Sequence, residues 1–84
     1  MKLYDYLRTQ TSAEELCTIT EGGWIVATAW IDHEDLFSHN LPRSLADKEV
    51  VKTGFSTLIV RDEAHSTKDL ETIVRVPVRT VEVE

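Results

Sequence analysis

Apolar and polar positions alternate along most of this chain, and the phase of that alternation predicts its elements. Near the start the spacing is helical. Leu3, Tyr6 and Leu7 share one face over Lys2 to about Thr9, with Tyr4, Asp5 and Arg8 pointing away. Two turns cannot stand alone, so this helix must pack on something. Ser12-Ala-Glu-Glu15 fits a capping box, but the β-formers from Leu16 to Thr20 favour a linker into a strand. Gly22-Gly23 then divides two apolar runs and predicts a hairpin turn, because glycine takes the positive φ that such turns require.

The run after the turn puts Trp24, Val26, Thr28 and Trp30 on one face and Ile25, Ala27, Ala29 and Ile31 on the other. Both faces are largely apolar, which predicts a central strand with Trp30 mostly buried. Asp32 fits the cap of a short helix carrying Leu36 and Phe37, broken at Ser38-His39-Asn40. Pro42 opens one irregular or helical turn through Ala46. Residues 32–47 therefore either cover one sheet face or form a binding loop.

Glu49 to Lys52 and Phe55 to Arg61 are strand material around Gly54, as a tight hairpin or as one long bulged strand. Phe55, Thr57 and Ile59 share one face, Leu58 and Val60 the other. Asp62 to Asp69 is a polar connection. Thr72 to Val83 is a long β-run with Val74, Val76 and Val78 opposite Arg75, Pro77 and Arg79. Val81 and Val83 fall on the other parity, which predicts a bulge or bend near Arg79-Thr80. Pro77 cannot donate to a ladder, so the run is expected at a sheet edge. A free β-branched edge is a template for a second copy, so a homodimer pairing through this strand is expected. The whole is one domain over residues 1–84. Its fold class is α+β: a four- to five-stranded antiparallel sheet, one N-terminal helix and a short irregular or helical middle segment.

Composition narrows the function. The net charge is −6, from 15 acidic against 9 basic side chains. That excludes direct nucleic-acid binding, which needs a basic surface to displace counterions, and it disfavours anionic membranes. It suits a basic protein partner. No apolar run approaches the ~20 residues needed to span a membrane. A single Cys17 permits no intramolecular disulfide, and the chain opens with acid where a signal peptide would be apolar. The expected compartment is the cytoplasm.

Catalytic patterns are missing. Gly22-Gly23 lacks the helix and lysine of a phosphate-binding loop. His33 and His39 stand six apart, which suits neither a helix face nor a finger, and His65 sits in a polar loop, so no metal or cofactor is expected. Cys17 inside an apolar strand is an inert small hydrophobe. The adjacent pairs Glu34/Asp35 and Asp62/Glu63 point apart in a strand and make poor acid/base pairs. The chain is expected not to be an enzyme. What remains is charge geometry: Asp32, Glu34 and Asp35, then Asp62 and Glu63, then Asp69 and Glu71 fall on connections between strands. They form either one acidic rim that binds a partner or a solvated edge.

The opening Met1-Lys2-Leu3-Tyr4-Asp5-Tyr6-Leu7, followed by the Leu16-Cys17-Thr18 hairpin strand, resembles the small acidic proteins of phages, plasmids and integrative elements of Gram-positive bacteria. Anti-CRISPR proteins that block Cas nucleases come from that pool, some of them acidic DNA mimics. The resemblance covers the first third of the chain and carries no functional residue with it. It implies a non-enzymatic inhibitor of a basic nucleic-acid enzyme such as a Cas nuclease. The alternatives are a self-associating module and an accessory or antitoxin-like binder of one protein.

Overall fold

Leu3, Tyr6 and Leu7 give helix α1 (Leu3–Gln10) its apolar stripe, and all three are buried. No side chain caps its start. Instead the Leu3 and Tyr4 amides donate to the Lys48 and Ala46 carbonyls at 2.9 and 3.0 Å, so the middle segment satisfies the helix's free donors. The computed structural model describes all residues except Ser38 and His39. After α1 come β1 (Leu16–Glu21), β2 (Trp24–Trp30), a 3₁₀ turn (Arg43–Leu45), β3 (Val50–Arg61) and β4 (Ile73–Val83). The chain is an α+β fold.

The four strands form one sheet in the order β2-β1-β4-β3. β1–β2 and β3–β4 are antiparallel, whereas β1 and β4 run parallel, from Leu16↔Val78 to Glu21↔Val83. The sheet is thus mixed rather than wholly antiparallel. The reason lies between β2 and β3. Residues 31–49 carry the chain from one sheet edge to the other, so β4 returns between β3 and β1. On the way this segment buries Phe37, Leu41 and Leu45 in the core, and it is therefore a cover. Asp32 opens a turn there, with the Asp35 amide donating to its carbonyl at 3.1 Å, and Glu34 to Phe37 continue as turns and a bend rather than a helix. Ser38 and His39, where a break was expected, lie outside the described residues.

The hairpin turn forms as the glycine pair predicts, with φ of 60° at Gly22 and 84° at Gly23. The expected burial of Trp30 fails. Trp24 is 79% and Trp30 61% exposed, because β2 is an edge strand, with Trp24 next to the turn and Trp30 opposite Leu16 on the sheet side that α1 does not cover. The register shift between Ile19 and Thr20 also leaves Val26 without an opposite residue. Ala27 and Ala29 stay opposite Ile19 and Cys17, under the helix. Ile25 pairs with Thr20 and joins Leu16 and Thr18 on the other face.

β4 corrects three further expectations. It is internal, not an edge, over Val78–Val83, so no second copy can pair through its end. Pro77 lies one residue beyond the β1 pairing, where β4 has a single neighbour, which is how the strand tolerates it. No bend occurs at Arg79–Thr80. The strand is regular, and its valines serve both faces: Val81 and Val83 are buried under α1, while Val74, Val76 and Val78 face the opposite way. The bulge sits across the ladder at Val51, in a β3 that runs unbroken through Gly54.

Since β1 begins level with Val78, the strands Thr57–Arg61 and Ile73–Pro77 project beyond the body as a two-stranded ribbon. Five residues at ~3.3 Å each make it about 17 Å long. The shape follows. The radius of gyration is 14.8 Å and the extents are 49 × 28 × 20 Å, against ~12 Å for a compact chain of this length.

Candidate partner-binding cleft

The end of the body from which the ribbon projects holds a cleft, built by two turns. In the first, the Ser12 amide donates to Glu15 Oε2 at 2.9 Å. That is the reach of a capping box, here closing a turn without a helix. Glu14 sits at φ 63°, the left-handed region that side chains seldom adopt. It is held there because its amide donates to the Ile31 carbonyl at 2.9 Å while the Ile31 amide donates to the Glu15 carbonyl at 2.8 Å. In the second turn, Asp32 Oδ1 accepts the Glu34 amide at 2.9 Å. His33 Nε2 lies 3.2 Å from Thr11 Oγ1, which ties this turn to the end of α1.

Between the turns lies an open cleft of about 780 Å³ lined by Glu14, Trp30, Asp32, His33 and Glu34. Among the described residues none of its three carboxylates has an ion-pair partner. An indole face beside unpaired carboxylates is a receptor for a cationic side chain.

Beneath the cleft, β1 and β4 are clamped by Glu15 and Arg79. Arg79 Nε donates to Glu15 Oε1 at 2.5 Å and Nη1 to the Tyr6 hydroxyl at 2.9 Å, and the guanidinium lies 4.5 Å from the Phe55 ring centroid. Burial opposes the charge on Glu15. The Ser12 amide and Arg79 outweigh it and hold the carboxyl below its usual range. Arg79 is likewise opposed by burial, yet Glu15 and Tyr6 raise it further. Cys17 lies close by, buried, and is pushed up to about 12, first by burial and then by the charge of Glu15. Such a thiol stays protonated and is a poor nucleophile.

The predicted acidic residues fall into two groups. Asp32 and Glu34 line the cleft, and Asp35 lies next to it, in a neighbouring hollow with Tyr4, Phe37 and Arg43. Asp62, Glu63, Asp69 and Glu71 lie at the ribbon tip. β2 and β3 run in the same direction, so both groups belong to one end of the sheet, but the ribbon's ~17 Å parts them. At the tip, Glu63 and Glu71 each stand 3.8 Å from Arg61, and Asp62 Oδ2 lies 2.7 Å from His65 Nδ1. Trp30, expected in the core, and Glu14, which no sequence pattern marked, complete the cleft. An edge position for β2 would have pointed to Trp30; nothing local points to Glu14.

Among the described residues no three His, Cys, Asp or Glu side chains converge to hold a metal ion, and no helix is long and apolar enough to cross a membrane. In comparisons with protein-family models, curated proteins and solved structures, nothing matches the chain.

Proposed function

We propose that this chain is a non-enzymatic interaction protein of the cytoplasm, an acidic inhibitor that blocks a basic nucleic-acid enzyme of the Cas-nuclease kind. The observation that carries the reading is the cleft: a Trp30 ring 61% exposed, beside Glu14, Asp32 and Glu34, which have no ion-pair partner among the described residues. An arginine or lysine that would hold a phosphate enters instead between the indole and the carboxylates. The cation is then occupied, and nucleic acid is displaced. Charge segregation supports the same reading. Residues 57–77, the ribbon and its tip, hold three basic and four acidic side chains, so five of the six net negative charges lie on the body. That charge steers a basic groove towards the body.

The test is inhibition of target-DNA binding by a purified Cas nuclease loaded with its guide RNA. The wild-type chain is expected to inhibit. Reversing Asp32, Glu34 and Asp35 to lysine is expected to abolish inhibition. Raising the salt from ~0.1 to ~1 M, which shortens the Debye length from roughly 10 to 3 Å, is expected to weaken binding of the wild type. Binding that ignores both changes, or no binding to any nucleic-acid enzyme of the host, removes the proposal.

A further inference from the structure

The sheet has a face that nothing among the described residues covers. α1 with Ile31, Phe37, Leu41 and Leu45 packs on one side; on the other, Ile25, Leu58, Val74 and Val76 surround the buried Leu16 and Val78 across all four strands. By register, this face carries no ionisable side chain from Gly54 to Val60 on β3, from Val74 to Thr80 on β4, along β1 up to Thr20, or from Ile25 to Trp30 on β2. Within the strands the first charges met are Lys52 and Glu82, opposite one another at the far end, and at the near end the cleft carboxylates Glu14 and Asp32 follow Leu16 and Trp30. On the body this face forms a shallow hollow of about 420 Å³, with Leu16 and Val78 among its lining residues. On the ribbon it continues as bare aliphatic surface.

We infer that this face is where two copies of the chain pack, sheet against sheet, the ribbon of each lying over the apolar hollow of the other. Area supports it. A folded monomer of 9.6 kDa exposes about 5100 Å², whereas this chain exposes 5934 Å². The excess, about 800 Å², is surface that the projecting ribbon leaves open on both of its sides, and it equals in size what each partner contributes to a standard stable interface. Charge selects the second copy over another protein. A twofold interface sets a surface against itself, so any charge near the axis meets its own like. A chain of net charge −6 can bring two copies together only where its surface is neutral, and this is such a face. A different, basic partner has no charge to read here and is served by the cleft instead. The ribbon fits the same arrangement. Two strands alone are marginal in water, and a partner's sheet supplies the layer they lack.

Sedimentation equilibrium of the full chain tests this. The wild type is expected at twice the 9.6 kDa of one chain. Ile25→Lys on the body and Val74→Lys on the ribbon are both at exposed sites, so each is expected to keep the wild-type circular dichroism and to fall to the mass of one chain. Ile59→Lys, on the opposite face of the ribbon, is expected to remain a dimer. A wild type of single-chain mass overturns the inference. So does a dimer that survives both Ile25→Lys and Val74→Lys, and so does equal loss of the dimer in Ile59→Lys.

Discussion

The body and the ribbon are built from the same alternating sequence and end in opposite states. In the body, Ile19, Val81 and Val83 lie under α1 and are sealed at 0 to 1% exposure. In the ribbon, Ile59 and Ile73, on the same side of the same sheet, are 63% and 55% exposed. Helix α1 has only eight residues, about 12 Å of axis. Among the described residues nothing covers the helix side of the ribbon, where Ile59 and Ile73 are exposed. Alternation therefore decides which way a side chain faces, while the length of the covering layer decides whether it is buried. The charge divides along the same line, with a net −1 on the ribbon and its tip and −5 on the body.

The largest effect should separate the two regions directly. Leu7 is fully buried in the body. Leu7→Ala is expected to cost about 2–5 kcal/mol in a chemical denaturation series, through lost burial and the cavity left behind. Ile59→Ala is expected to cost about 0.5 kcal/mol or less, since its side chain already meets water. A comparable loss in the ribbon would mean that something covers its helix side, and the distinction would break.

Next in size is the junction. Glu15 and Arg79 tie β1 to β4 where the body ends, and Tyr6 and Phe55 bring in α1 and β3. Glu15→Gln is expected to cost about 1–3 kcal/mol at neutral pH, the range for a charge-assisted hydrogen bond. Arg79→Lys should not restore wild-type stability, because an ammonium cannot reach both Glu15 and Tyr6 as the guanidinium does. Acid sharpens the test. The Glu15 carboxyl is held below its usual range in the fold, so its contribution is complete above the unfolded value near ~4.3. It is lost as the pH falls through the lower, folded value. Glu15→Gln should flatten that part of the acid-unfolding curve and leave the rest in place.

These residues also show how much the sequence could reveal. The helix stripe Leu3-Tyr6-Leu7, the Gly22-Gly23 turn and the facing of β3 were all legible, because each depends on neighbours within a few positions. The place of β4 was not. Its partners Leu16–Glu21 lie more than fifty residues away, and only the crossing of residues 31–49 puts it between β1 and β3. From that one unseen step follow the parallel pair, the tolerance of Pro77, the two-faced valines and the exposure of β2. The cleft was half legible. Asp32, Glu34 and Asp35 are marked by their clustering. Trp30 looked like core because both faces of its strand are apolar, and Glu14 joins the site only through its bonds to Ile31.

Trp30 supplies the smallest effect on stability and the finest test of the comparison, for it is a body residue with the exposure of a ribbon residue. Removing a tryptophan from a core costs about 3–5 kcal/mol. Here the ring lies at the cleft mouth on an edge strand, exposed and outside the buried core cluster. Trp30→Ser is therefore expected to change the unfolding free energy by less than about 0.5 kcal/mol. Partner binding should respond quite differently. The indole face contributes about 0.5–2 kcal/mol to a bound cation, so affinity for the inhibited enzyme should fall by roughly two- to thirtyfold. The remaining affinity should keep its sensitivity to salt, because Glu14, Asp32 and Glu34 are still in place. Titration calorimetry beside a denaturation curve reads both numbers. A large loss of stability would return Trp30 to the core; unchanged affinity would remove the ring from the cleft's function and leave the carboxylates to act alone.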